Sequence, residues 1–177
     1  MVIDLSEVVK HFGSVSAFDG QITAEPFMFA STMIRFAGPI SLEGTVTNAG
    51  NVLRLCAHAR AALDTRCARC GRSIRVDVCA DIDESLVSAH RAEQLTEEDE
   101  VIVFSGFRFC LDDIVLNSLV GELPIRFLCR PDCKGLCQQC GQDLNEGQCS
   151  CSTEAIDPRL AVLSKLYDKS RQDDDDR

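Results

Sequence analysis

Apolar side chains fall at every second position along two neighbouring stretches of the chain. Leu53, Leu55, Ala57, Ala59, Ala61 and Leu63 form the first, and Ile74, Val76, Val78, Ala80 and Ile82 the second. A period of two is that of a strand with one buried face. Folded antiparallel about Ala68-Arg69, the pair sets Leu63 against Ile74, Ala61 against Val76 and Leu55 against Ile82. On the other face Arg60 then meets Asp77, Arg54 meets Asp83, and Cys79 falls opposite His58. One register thus serves the apolar and the charged pairs together.

Weaker patterns flank this hairpin. Ile40-Ser-Leu-Glu-Gly-Thr-Val46 alternates as a half-buried strand does, and Ala49-Gly50-Asn51 is a turn signal. Near the N-terminus, Leu5, Val8, Val9 and Phe12 have the spacing of one helix face, which predicts a short amphipathic helix. Glu100-Val-Ile-Val-Phe104 reads as a short strand. Leu111, Ile114, Val115, Leu119 and Val120 share a helix face, and Pro124 ends that helix. Asp157-Pro158 opens a last helix with Leu160, Leu163, Leu166 and Tyr167 as its apolar stripe. The acid-rich run Glu93 to Glu100 reads as solvated, and Asp173 to Asp176 as a disordered acidic tail.

These elements predict an α+β fold: an antiparallel β-rich body with a few helices and a C-terminal zinc-binding segment. The expected divisions are a body over 1–124, a cysteine-rich segment with a terminal helix over 125–170, and an acidic tail over 171–177. The chain has 177 residues and a formal charge of −10. Such a chain repels phosphate overall, so non-specific nucleic-acid binding is not its expected main property. No apolar run approaches the ~20 residues of a membrane span. An acid stands where a signal peptide needs bases, so a cytoplasmic location is expected.

Cysteine changes the picture most. There are 11, an odd number, and six of them lie between Cys129 and Cys151. In a reducing compartment close-spaced cysteines bind metal more often than they form disulfides. Cys137-x-x-Cys140-Gly141 has the spacing of a zinc knuckle, in which two sulfurs reach one tetrahedral ion at about 2.3 Å. The glycine relieves the turn where backbone N–H groups approach the sulfurs. Cys149 and Cys151 share one side of an extended segment and can close the site. The first-choice ligands are therefore Cys137, Cys140, Cys149 and Cys151, with Cys133 or Cys129 able to replace one. Cys67-x-x-Cys70-Gly71 is half a site at the hairpin tip. Cys129 and Cys133 are the spare ligands for a second four-cysteine site, the other reading being a free dithiol in a tight turn. A thioredoxin motif would need a helix after the pair, and a strand follows instead. Cys56, Cys79 and Cys110 are isolated and read as small core hydrophobes.

Arg54, Arg60, Arg66, Arg69, Arg72 and Arg75 surround the first cysteine pair. Cross-strand pairing accounts for Arg54 and Arg60. Arg66, Arg69 and Arg72 at the tip are candidate RNA phosphate contacts. No phosphate-binding glycine loop, nucleophile elbow or metalloprotease helix occurs. The expectation is thus a protein that is not an enzyme and has no small-molecule substrate and no membrane contact.

The string from Leu128 through Cys129, Cys133, Cys137 and Cys140 to Asn145 resembles the YceD family, as do Cys149-x-Cys151 and Asp157-Pro-Arg-Leu-x-x-Leu163. The earlier Cys-x-x-Cys between two strands and the helix before Leu123-Pro-Ile125 fit as well. The resemblance runs from about Leu42 to Leu166. It implies a role in 23S ribosomal RNA synthesis or processing, in large-subunit assembly, with no known catalytic activity. The expected cofactor is Zn²⁺. The expected partner is ribosomal RNA or a basic large-subunit ribosomal protein. The competing reading is a zinc-ribbon transcription or nucleic-acid-binding regulator.

Overall fold

The structure, a computed structural model, describes residues 1–92 and 101–151. The acidic run after Arg91, the helix expected from Asp157 and the acidic tail lie outside the described residues. The described strands are β1 (Val2–Asp4), β2 (Val15–Ile22), β3 (Phe27–Phe29), β4 (Thr32–Phe36), β5 (Ile40–Asn48), β6 (Leu53–Arg66), β7 (Ser73–Ser88), β8 (Ile102–Phe104) and β9 (Arg108–Cys110). Two helices accompany them, α1 (Ala89–Ala92) and α2 (Asp112–Gly121). The architecture is strand-rich, with few helices and mostly antiparallel pairing; β8 joins β7 in parallel, and β1 pairs with β9 in a separate ribbon.

The sheet is a bent meander built around β6. β7 lies along one edge of β6 over its whole length. β5 and β4 share the other edge, β5 against Leu53–Arg60 and β4 against Leu63 and Asp64. Between them residues 37–40 oppose only 61 and 62, a bulge containing Gly38-Pro39 that bends the strand. β2 and β3 flank β5 and β4 in the same way. The β3–β4 hairpin turns through Ala30 and Ser31, both in the left-handed region at φ 45° and 64°. That turn lies at the same end of the sheet as the β6–β7 turn.

Alternation places the core as the sequence implies. Leu53, Leu55, Ala59, Ala61 and Leu63 are buried on β6, and Val78, Ala80 and Ile82 on β7. α2 covers this face with Val115 and Leu119 buried, and Leu111 is buried just before it, close to the expected helix. The register, however, differs by two residues. Leu63 pairs with Val76, Ala61 with Val78 and Leu55 with Glu84. A shift of two keeps every side chain on its face, so alternation cannot detect it. Arg54 still reaches Asp83 diagonally, with Nε and Nη2 donating at 2.8 and 2.6 Å. Arg60 lies 3.9 Å from Glu43 rather than against Asp77, and Arg75 forms a two-bond pair with Asp64. Cys79 opposes Arg60, while His58 Nδ1 lies 2.6 Å from Asp81.

Two further expectations are corrected. Residues 6–13 form turns rather than a helix, with Leu5 and Val8 buried but Phe12 81% exposed. The carbonyl of Val8 is taken by Asn48 Nδ2 and Ser14 Oγ, both at 2.8 Å, so helical bonding does not continue. Cys56, Cys79 and Cys110 are exposed rather than core residues. The shared solvent-facing positions of Cys56 and Cys79 follow from their strand parity.

The chain divides into two compact units, Met1–Cys133 and a second beginning at Lys134. The first unit extends to Cys133 because the segment to that residue folds onto the hairpin tip. Among the described residues no helix is long and apolar enough to cross a membrane.

One contact within the sheet is unusually close. A Cβ on Gly44 would lie 2.5 Å from the carbonyl oxygen of Cys56 and 2.6 Å from Cβ of Ala57. Gly44→Ala should therefore push β5 from β6 and cost about 1–3 kcal/mol. Thermal unfolding should show a melting temperature several degrees lower; an unchanged value would mean that β5 yields without strain.

Candidate metal centres

The β6–β7 turn is six residues long, Cys67 to Arg72. The Cys67 N–H donates to the Arg72 carbonyl at 2.8 Å, and the Gly71 N–H donates to the Cys67 carbonyl at 2.9 Å. Gly71 sits at φ +70°, where a side chain would be strained. The backbone thereby curls around the Cys67 sulfur. The same construction recurs in the second unit. The Cys137 N–H donates to Gln142 at 2.8 Å, the Gly141 N–H donates to Cys137 at 2.9 Å, and Gly141 has φ +76°. Two Cys-x-x-Cys-Gly strings thus make one turn geometry twice.

Each turn is completed by two later cysteines. In the first unit Cys129 and Cys133 reach the hairpin tip. Cys67 Sγ lies 3.8 Å from Cys133 Sγ, and Cys70 Sγ lies 3.7 Å from Cys129 Sγ. The Ala68 N–H donates to the Phe127 carbonyl at 2.8 Å and ties the incoming segment down. In the second unit Cys149 and Cys151 join Cys137 and Cys140. Within each group of four, the sulfurs all lie within 4.8 Å of one another. The first group is the more deeply buried.

These distances fit an ion. Four sulfurs at about 2.3 Å from a tetrahedral centre stand about 3.8 Å apart. Four thiolates also fill a tetrahedral shell, so neither group keeps a coordination position for a substrate. The protonation pattern leads to the same chemistry. Burial raises the Cys67 thiol, but the backbone N–H groups of Cys70, Cys129 and Arg69 outweigh it, and the group falls from 9.0 to about 6. The N–H groups of Cys140 and Gln139 lower Cys137 likewise, to about 6. Burial and the neighbouring thiols push Cys129 up to about 12. The Cys140 thiol and burial do the same to Cys151. Each group therefore yields one thiolate readily and another reluctantly, because negative charge accumulates among the sulfurs. A dication relieves that repulsion.

The tip arginines divide. Arg69 Nη1 donates to the Cys133 carbonyl at 2.7 Å and lies 3.4 Å from that of Pro131. Arg69 is thus a positioning residue that holds the 131–133 turn over the first group. Arg66 and Arg72 are exposed. The role of Arg69 was not readable in advance, since nothing in the spacing links it to residue 133.

The family described as large ribosomal RNA subunit accumulation protein YceD matches residues 55–167. The chain belongs to the YceD family. The YceD match starts within β6 and spans all eight clustered cysteines. An uncharacterized protein of Mycobacterium tuberculosis is 37% identical over 101 residues, covering 56% of this chain and 48% of its own length. A second, from Mycobacterium leprae, is 25% identical over 147 residues, covering 81% of this chain and 67% of its own. A chloroplastic protein of Arabidopsis thaliana, named large ribosomal RNA subunit accumulation protein YCED homolog 1, is 35% identical over 51 residues, or 29% of this chain and 16% of that protein. The chain spans about half the length of the first of these relatives. No solved structure matches it.

Elemental analysis of the purified chain should find two metal ions per chain. Cys67→Ser and Cys137→Ser should each remove one and spare the other; loss of both from either change would mean that the groups do not bind independently. Protons compete for the ligands, and in the metal-free groups Cys67 and Cys137 are thiolates only above about 6. Metal uptake by the empty groups is therefore expected to weaken further as pH drops below that value, and equilibrium dialysis across a pH series measures it.

Proposed function

We propose that this chain is a non-enzymatic factor in the accumulation of large-subunit ribosomal RNA, acting in the cytoplasm by binding. The observation that carries the reading is the YceD match across the hairpin, its turn and both cysteine groups. The name of the Arabidopsis relative points the same way. We further infer that both groups hold Zn²⁺. Four sulfur donors in tetrahedral spacing suit zinc, which has no redox chemistry and in such shells supports structure.

Zinc here fixes surfaces rather than performing a reaction. The first group fastens the 127–133 segment to the hairpin tip. In the second unit, Cys137 is the one buried hydrophobic side chain among the described residues. An ion held by the four sulfurs would therefore be the main tie among residues 134–151. The partner on this reading is large-subunit RNA or a basic ribosomal protein. Asp19, Glu43 and Asp81 stand in one cross-strand row with His58 on the outer face of the sheet, which suits a basic partner.

Depletion of the protein should lower the ratio of large to small ribosomal subunits on a sucrose gradient, with a matching deficit of large-subunit RNA. A normal ratio after complete depletion would rule the role out. Complementation with Cys67→Ser should restore the ratio only in part if the zinc-held surface is what binds.

A further inference from the structure

The outer face of the sheet changes character along its length. Its middle carries Asp19, Glu43, Asp77, Asp81 and Asp83 on adjacent strands. Towards the β3–β4 and β6–β7 turns it becomes basic and apolar. There an open groove of about 1000 Å³ is lined by Met28, Met33, Arg35, Asp64, Arg66 and Arg75, with Ser31 and Ser73 also in its lining. Met28 and Met33 are cross-strand partners and are 60% and 45% exposed. Arg35 stands opposite Asp64, which stands opposite Arg75.

The three arginines are not equivalent. Arg75 gives Nε–H and one Nη2–H to Asp64 at 2.8 and 3.0 Å, which fixes its plane and leaves three donors. Arg35 and Arg66 have no hydrogen-bond or ion-pair partner among the described residues. Asp64 cancels one charge, so the groove keeps a net charge of about +2 within a chain of −10. Positive charge maintained there against the overall balance calls for an anion.

We propose that this groove binds single-stranded RNA, with Arg35, Arg66 and Arg75 on its phosphates and the Met28–Met33 pair beneath an unstacked base. This rests on the ribosomal-RNA reading above and names where and how RNA is held. Thioether side chains give a base face a polarizable, sequence-tolerant platform. The Ser31 and Ser73 hydroxyls can donate to and accept from a ribose 2′-hydroxyl. The acidic middle of the sheet repels a polyanion and confines it to this end. Arg69, bonded to the Cys133 carbonyl, is not among the contacts.

Fluorescence anisotropy of the metal-loaded full chain with a short fluorescein-labelled single-stranded oligoribonucleotide tests this. Arg35→Gln with Arg66→Gln should weaken binding roughly tenfold at low salt and flatten the salt slope by about 1.4, two phosphate contacts at about 0.7 each. Met28→Ala with Met33→Ala should weaken binding without changing the slope. Arg54→Gln, at the far end of the same face, should change neither. Metal content and melting temperature confirm that each variant is folded. Failure of the unmodified chain to bind, or equal binding by the arginine variant, overturns the proposal. So does capture of a labelled polyglutamate peptide in place of RNA. If RNA binds through Arg35 and Arg66 while depletion leaves the subunits normal, the ribosomal role fails and the groove stands. If depletion alters the subunits and no RNA binds, the reverse holds.

Discussion

The bond from the Cys67 N–H to the Arg72 carbonyl governs more of this protein than any other single contact. It closes a six-residue turn, and that length sets the register of the two longest strands. The register in turn decides which charges meet. His58 faces Asp81, Arg75 faces Asp64, and Arg60 turns toward Glu43. Within the turn, Gly71 in the left-handed region lets backbone N–H groups curl toward the Cys67 sulfur. The geometry of the cysteine turn at the tip is therefore written into the pairing of the whole hairpin.

Much of this was legible from residue pattern, and the exceptions have physical reasons. Period-two alternation identified β6, β7 and their buried faces, since face selection is what the pleat encodes. It could not choose between registers two residues apart, because both bury the same side chains. The six-residue turn that the Cys-x-x-Cys-Gly string forms is what selects between them. The N-terminal spacing of Leu5, Val8 and Val9 suggested a helix, but Asn48, some 40 residues away, takes the carbonyls such a helix needs. Periodicity reports local preference and carries no information about that distant competitor.

The cysteines were more legible than the fold. Spacing alone marked two half-sites and left the spare ligands to be divided. The geometry brings Cys129 and Cys133 to Cys67 and Cys70, and Cys149 and Cys151 to Cys137 and Cys140. The recurrence of one turn conformation, down to matching hydrogen bonds and left-handed glycines, follows from a short string whose options are few. What spacing could not reveal was the support around the sulfurs. The Phe127 carbonyl on Ala68 and the Arg69 guanidinium on Cys133 join parts of the chain that are remote in sequence.

The apolar cores are also separate. One large cluster lies between the sheet and α2, and a small one of Cys67, Cys70 and Cys133 sits at the tip. This separation bears on the order in which the protein takes shape as it is made. The hairpin and its half-site leave the ribosome some 60 residues before Cys129 does. The meander must therefore hold itself with its own apolar face while its tip waits for ligands not yet synthesised. Among the described residues of the second unit Cys137 is the one buried hydrophobic side chain, and its four cysteines can come together only once Cys151 has been made.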